Sequence, residues 1–554
     1  MTEPLQTIEP HRFVLEQGKP FSQSFIWKLQ RAFFEQQGNQ AWSEGIVPHY
    51  ITSNPYMANA YAALVLGWLR DWRAGRQDDS SVLHGRAGDL WPPAGRLDLA
   101  RPLYIVELGA GHGRFAYHFL KKFEPRWRRS PFSQLPIRYI MTDLAEKNIA
   151  HWRGHALLRP FVEKGMLDFA RFDAEQPAPL ALLESGETLS AETLCNPIVV
   201  FANYFFDSIS QDSFACQQGE LYENAVTVTS PLADPDLSDP AVLETINLSE
   251  EKQVMQPDYY ADPDWNRLLR AYQETLPDTV IGFPTAALAC LRFFREASHG
   301  RLLLLSADKG YIRDDALVDP KPPDPVHHGA AFSLSVNYHA LAEYTKLHAG
   351  LVLQPAHTHA NILVCAFLMG GPECAMPETC LAFDDVIELS GPDEFYSLLK
   401  ALQGKYETMT APQLLAVLRL SGWDTHLFMD MFMPLLEKVG GASEMLKREL
   451  RAAAGNLYDM YYPIGEARDV PFHLGTLLYS IESYGDAIMY FQHSLDVHGP
   501  NRSTWHNMGM SYYRLRRLGD ALRCMNELLA LDLNYSPAKS MRIKLQAEIQ
   551  EISR

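Results

Sequence analysis

Residues 105–115 read Ile-Val-Glu-Leu-Gly-Ala-Gly-His-Gly-Arg-Phe, and the fold follows from how this stretch must turn. The apolar run LYIVEL from Leu103 has the length of a buried strand, and RFAYHFLKKF after it has helical spacing. Between them Gly109, Gly111 and Gly113 are spaced G-x-G-x-G. Glycines let the backbone turn tightly and leave no side chain between main-chain amides and a ligand. A strand that passes through such a turn into a helix opens a Rossmann-like α/β domain.

Glu107 stands two residues before the first glycine. A carboxylate there can engage an ammonium group, directly or through water, and S-adenosylmethionine carries one in its amino-acid tail. A dinucleotide site would need G-x-G-x-x-G, and its third glycine position is Arg114. Further along, Tyr139-Ile140-Met141-Thr142 delivers Asp143 at an expected strand end, where it can accept from both ribose hydroxyls. Asp143 can also cap the helix that LAEKNIAHW predicts. Asp173, after Phe169-Ala170-Arg171-Phe172, is placed either to accept from an adenine amino group or to form a turn. A fourth strand, Pro197 to Ala202, runs into Asn203-Tyr204-Phe205-Phe206-Asp207. Ligands of open α/β sheets bind beyond strand C-termini, so Asn203, Tyr204 and Asp207 should face the transferred group.

Outward from this core, further strands are expected at RLLLLSA from Arg301 and NILVCAF from Asn361, with helices between, giving a mostly parallel sheet covered on both faces. Residues 1–100 read as a helical N-terminal region, with Tyr56 to Trp72 the clearest helix. A Gly- and Pro-containing connector (HGRAGDLWPPAGRLDLARP) precedes an α/β domain over 101–370. An insertion at about 228–270, rich in Pro and Asp from Ser230 to Asp264, reads either as a lid or as an irregular surface loop. Residues 371–465 read as a helical connector and 466–554 as helical repeats. Shifted by 34 residues, Leu474, Gly475, Gly485, Asp486, Ala487, Phe491 and Leu495 fall on Met508, Gly509, Gly519, Asp520, Ala521, Met525 and Leu529. That period is the tetratricopeptide one. Gly475 and Gly509 should let paired helices approach, and Gly485-Asp486 and Gly519-Asp520 should make the turns. Such repeats serve either as a groove for a protein or peptide partner or as a buttress.

The chain has 554 residues, 47% hydrophobic and 21% charged, which suits several folded domains. A net charge of −18 argues against nucleic acid or anionic lipid as partner, since both are polyanions. The basic run Arg126-Trp127-Arg128-Arg129 reads as a solvated connector. The seven cysteines are scattered; even the closest pair, Cys374 and Cys380, has no ligand set around it, and no metal is expected. Neither a signal or transit character at MTEPLQTIEPHRF nor a membrane-length apolar run is seen, so the cytoplasm is the expected location.

Taken together these residues resemble class I S-adenosylmethionine-dependent methyltransferases. More narrowly they resemble the MidA family, which includes mitochondrial complex I assembly methyltransferases acting on protein arginine. The resemblance spans roughly Tyr50 to Gly370, from Tyr50-Ile51-Thr52-Ser53 through the Glu107 to Gly113 loop and ANYFFDSIS from Ala202, which is similar to a family A-N-E-F-F-D-A-L-P. It ends near His328-Gly329 and SLSVNYHALAEYTKLHAG from Ser333. It implies that Glu107, Gly109, Gly111 and Gly113 hold the amino-acid part of the cofactor, Asp143 its ribose, and that Asn203 and Asp207 line the substrate side. Tyr204 replaces the family's Glu and Ser210 its Pro, which removes one carboxylate that would orient a guanidinium. The repeats lie outside the family core. The expectation is a methyltransferase acting on a protein, with arginine in view and the repeats recruiting substrate or partner. A small-molecule methyltransferase and a non-catalytic cofactor-binding assembly factor are the alternatives. Asp207 is the first candidate for orienting or deprotonating the nucleophile, Tyr204 for positioning it, and His328 a lesser candidate base.

Overall fold

The computed structural model of the chain describes residues 12–74, 97–256, 258–318, 325–370 and 376–553. Most of the expected connector (84–96) and Cys374 lie outside them. The chain divides into two compact units, Met1–Ser397 and Leu398–Arg554.

In the first unit, α1 (Ile26–Gln37) and α2 (Pro55–Ala74) precede the glycine turn, which runs from β1 (Leu103–Leu108) into α3 (Arg114–Arg129). There follow β2 (Ile137–Asp143), α4 (Glu146–Gly154), β3 (Leu167–Arg171) and β4 (Ile198–Asn203). After an insertion carrying α5 (Pro263–Thr275) and α6 (Thr285–Ala297) come β5 (Leu302–Asp308), α7 (Tyr338–Leu347), β6 (Leu351–Leu353) and β7 (Leu363–Met369). The seven strands form one sheet in the order β3-β2-β1-β4-β5-β7-β6. Neighbours from β3 to β5 are parallel, while β7 runs antiparallel to both β5 and β6. This is the doubly covered Rossmann-like α/β fold that the sequence predicts. Strands β1 and β7 are buried along their whole length, as apolar runs without alternation require. The order of strands changes direction at β1, so the C-terminal ends of β1 and β4 diverge and open a crevice there.

The N-terminal helices belong to the same unit as the sheet rather than to a region apart. Tyr61 of α2 packs against Phe115 of α3 and Phe201 of β4, at ring-centroid distances of 5.4 and 5.1 Å. The region is also not wholly helical: Phe13–Lys19 is a strand that pairs antiparallel with Glu220–Ser230. The insertion is larger than expected. Asp212–Gln217, Glu220–Ser230, Asn247–Val254 and Thr279–Phe283 build, with Phe13–Lys19, a second five-stranded sheet. Val226 and Val228 bury one face of it. The Pro- and Asp-rich segment forms a short 3-10 turn and the exposed strand Asn247–Val254, and none of its described residues is among those that line the cleft described below. The basic run is likewise no connector. Arg126, Arg128 and Arg129 form the last turn of α3, where cations complement the helix dipole.

The second unit is all α. It ends in α8 (Val470–Ser480), α9 (Tyr484–His498), α10 (Arg502–Arg514), α11 (Leu518–Leu531) and α12 (Ser536–Ser553). The turns differ from the expected Gly-Asp pairs, which lie inside the first turns of α9 and α11. Glu482 and Arg516, 34 residues apart, take the left-handed conformation instead, at φ 67° and 60°. The amides that follow them, of Ser483 and Arg517, close on Leu478 O and Tyr512 O at 2.9 Å each. Gly475 sits where a Cβ would fall 2.7 Å from the Phe491 ring, while a Cβ at Gly485 meets nothing within 4 Å. Gly475→Ala is therefore expected to destabilise this unit by about 1–3 kcal/mol through overpacking. Gly485→Ala should be neutral or stabilising by up to about 1 kcal/mol. Urea unfolding followed by circular dichroism compares the two.

Candidate functional site

At the crevice the first unit holds a cleft with about 1500 Å³ of empty space, counting the part continuous with solvent. Glu107, Gly109, Gly111, Asp143, Asp173, Asn203, Tyr204 and Asp207 all line it, as does His328. Gly113 does not. Its φ of 81° makes the left-handed entry to α3, and its role is the turn rather than ligand contact.

The glycine loop differs from an open set of amides. The amide of Ala110 donates to Thr142 O and that of Gly113 to Ala110 O, both at 2.8 Å, and that of Gly111 to Asp143 Oδ2 at 3.1 Å. The first and last of these hold the loop to β2, and the Gly113 bond closes the loop on itself. What the loop offers the cleft is bare surface bounded by two rings. A Cβ on Gly109 would fall 2.6 Å from Phe205, and one on Gly111 would fall 2.9 Å from Trp42. Both rings line the cavity as walls. His112 stacks edge-on against Trp42 and His49, and burial first, then its cationic neighbours, lower its pKa so that it stays neutral.

Glu107 is 5% exposed, and among the contacts of its side chain is the Tyr139 hydroxyl, which donates to Oε2 at 2.9 Å. Burial pushes its pKa up to about 8; the Tyr139 bond opposes this and the neighbouring Asp143 adds to it. Asp143 takes three donors, the amides of Gly111 and Ala145 and the Asn148 side chain, at 3.1, 2.9 and 3.0 Å. It therefore ties the glycine loop to the start of α4 while its carboxylate borders the cleft. Asp173 is gripped by Arg31 from α1, whose fork reaches Oδ1 at 3.1 Å and Oδ2 at 2.6 Å.

Beyond β4 the chain is strained. Tyr204 has φ 47°, a left-handed value that costs a non-glycine residue about 1–2 kcal/mol. Three hydrogen bonds to two residues of β5 hold it. The Tyr204 amide donates to Ala307 O at 2.9 Å, and the amides of Phe205 and Phe206 donate to Asp308 Oδ2 at 3.3 and 3.1 Å. The turn then presents Asp207, whose carbonyl accepts from the Leu334 amide at 2.8 Å. Asn203 is oriented by the Tyr61 hydroxyl, which donates to its Oδ1 at 2.7 Å. Burial raises the Asp207 pKa to about 7, with Lys309 opposing. Asp308 is fully buried, its Oδ1 has no hydrogen-bond partner, and burial plus the charge of Asp207 push it well above the carboxylate range. Asp308 thus keeps its proton when Asp207 ionises. His328, bonded to Ser333 Oγ at 3.2 Å, is lowered by burial and Lys309 and stays neutral.

Several lining residues carry no signal in the sequence. Trp27, Gln30, Arg31, Trp42 and His49 come from the N-terminal segment. Gln30 locks α1 in place, accepting from the Phe332 amide at 3.0 Å and donating to its carbonyl at 2.5 Å. Asp308 and Lys309 could have been suspected from their place at the end of an expected strand. Among the described residues no group of His, Cys, Asp and Glu is placed to hold a metal ion, and no helix is long and apolar enough to cross a membrane.

No family model matches the chain, and no curated protein matches it. Among solved structures it is similar to an uncharacterized COG1565 superfamily protein from Burkholderia thailandensis, at 13% identity and a TM-score of 0.38, over 65% of this chain and 89% of that one. It is also similar to a COG1565 superfamily member from the same organism, a candidate methyltransferase crystallised with S-adenosyl-homocysteine. There the identity is 12% and the TM-score 0.35, over 65% of this chain and 95% of that one.

Proposed function

We propose that the protein is an S-adenosylmethionine-dependent methyltransferase whose acceptor is a protein side chain, with arginine the first candidate. The observation that carries this reading is the meeting of Glu107, Asp143 and Asn203, from three neighbouring parallel strands, with Asp207 of the turn after β4, in one cleft beside two left-handed glycines. The donor set fits the cofactor. Glu107 is a buried carboxylate with capacity for an ammonium group, and Asp143 borders the space a ribose would take. Bound there, the cofactor would supply a methyl group on a positively charged sulfur.

The protein's own part is alignment and proton removal. Asp207, with its pKa near 7, accepts a proton from the nucleophile as the acceptor nitrogen loses one. Tyr204 and Asn203 orient that nucleophile, and Asp308 fixes the turn that carries them. Asp207 is the carboxylate that lines the acceptor end and could pair with a guanidinium, while Asp308, buried and protonated, serves the turn and does not replace the Glu missing at position 204. The C-terminal helices, with their 34-residue spacing, would recruit the substrate protein or a partner. The aromatic walls Trp27, Phe34, Trp42 and Phe332 favour a second reading, a small apolar acceptor.

Calorimetry with S-adenosylmethionine tests the cofactor. Transfer of radiolabelled methyl into fractionated extract then separates the acceptors: label in protein supports the first reading and label in a metabolite the second. Binding without any product would make the protein a cofactor-binding assembly factor. Asp143→Ala is expected to weaken S-adenosyl-homocysteine binding at least about tenfold, because it removes a ribose acceptor and unties the Gly111 amide. An unchanged affinity would remove Asp143 from the site.

A further inference from the structure

We propose that Arg31 reads the purine of the bound nucleoside with hydrogen-bond donors, in place of the acceptor expected of Asp173. The inference rests on reading the cleft as a nucleoside site. Arg31 Nη1 donates to Asp173 Oδ1 at 3.1 Å and to Glu175 Oε2 at 2.8 Å, and Nη2 donates to Asp173 Oδ2 at 2.6 Å. A guanidinium has five N–H donors, so Nε–H and one Nη2–H remain. Asp173 keeps one acceptor direction against these two donors. Its Oδ1 also accepts from the Glu175 amide at 3.0 Å, which leaves a single lone-pair direction on Oδ2.

Both side chains line the cleft beside the apolar surfaces of Leu144, Phe172 and Ala174, where a flat base would be covered. Arg31 is no wandering surface group. It follows Gln30, which is 1% exposed and bonded twice to the Phe332 backbone. Lys147 Nζ further pins the end of α1 through Gln36 O at 2.6 Å. The wall of the nucleoside slot is thus a fixed helix presenting a cation with spare donors. Donors seek the ring nitrogens and do not need the exocyclic amino group of adenine. A purine with oxygen at position 6 offers an acceptor there, which a free carboxylate would repel and a guanidinium would take.

The test is a calorimetric titration of the full chain with S-adenosyl-homocysteine and with its 6-oxo (hypoxanthine) analogue. Wild type is expected to bind the two within about fivefold. Arg31→Met keeps the aliphatic stem but frees Asp173, and should shift the ratio towards adenine by at least about tenfold. A ratio measured on one variant does not depend on how stable that variant is. If wild type rejects the 6-oxo analogue by roughly a hundredfold or more and Arg31→Met leaves the ratio unchanged, the proposal falls while the nucleoside site stands. If wild type binds neither ligand, both fall.

Discussion

Asp207→Asn is expected to lower methyl transfer by about 10²–10⁴-fold while leaving S-adenosyl-homocysteine affinity within about threefold. The side chain lies at the acceptor end, beyond β4, and its amide replacement is close in shape but takes no proton. The wild-type rate should carry the signature of the group it replaces. A carboxylate acts as base only when ionised, and burial holds the Asp207 pKa near 7. Turnover should therefore rise with pH through about 7 and level off above it, and the variant should lack that limb. Label incorporation into the responsive extract fraction, measured from pH 5.5 to 9, gives both results. A variant that loses cofactor affinity but keeps turnover would move Asp207 to the other end of the cleft. Asp308 should not substitute for it, because it is fully buried, does not line the cleft, and burial, the largest cause of its raised pKa, persists in the variant.

The sequence is legible wherever chemistry follows chain order. In a parallel sheet every strand delivers its C-terminal residue to the same edge, so Glu107, Asp143 and Asn203 could be read off as strand-end residues before any contact was known. The 34-residue echo is legible for the same reason: Gly475 repeats at Gly509 because each must admit a neighbouring side chain. The residues that escaped depend on contacts distant in sequence. Arg31 meets Asp173 across 142 positions, and Phe13 pairs with Ser230, which no local pattern encodes. The glycine loop shows a subtler limit. Its spacing predicts exposed amides, yet the donors of Ala110, Gly111 and Gly113 close on neighbouring acceptors of the protein itself. A glycine pattern reports where the backbone turns and where no Cβ fits; which amides remain free depends on the strand alongside. The turns between the last helices make the same point. The Gly-Asp pairs attract notice, while Glu482 and Arg516 take up the left-handed geometry without any residue preference to announce it.

With three of its amides engaged by the protein itself, the loop leaves Glu107 as a titratable anchor for the cofactor's amino-acid tail, and the binding of that tail becomes a proton-linked event. In the free protein the Glu107 pKa is about 8, so at neutral pH the group is mostly protonated. An ammonium group placed beside it favours the carboxylate, and the bound pKa must fall. The sign follows: below pH 8 binding has to expel a proton, so affinity for S-adenosyl-homocysteine should climb by up to about tenfold per pH unit from 6 towards 8 and then cease to climb. At pH 7 about 0.9 proton should be released per ligand bound, which calorimetry in two buffers of different ionisation enthalpy measures directly. Glu107→Gln cannot ionise; it should bind weakly, release no proton at this site and show no ascending limb. Tyr139→Phe, which removes the hydroxyl that stabilises the carboxylate, should move the limb to higher pH without abolishing it. If wild-type affinity proves flat from pH 6 to 8, Glu107 is either ionised before the ligand arrives or not its partner. The Tyr139 variant distinguishes these, because a limb that emerges when the hydroxyl is lost requires Glu107 to be the titrating contact.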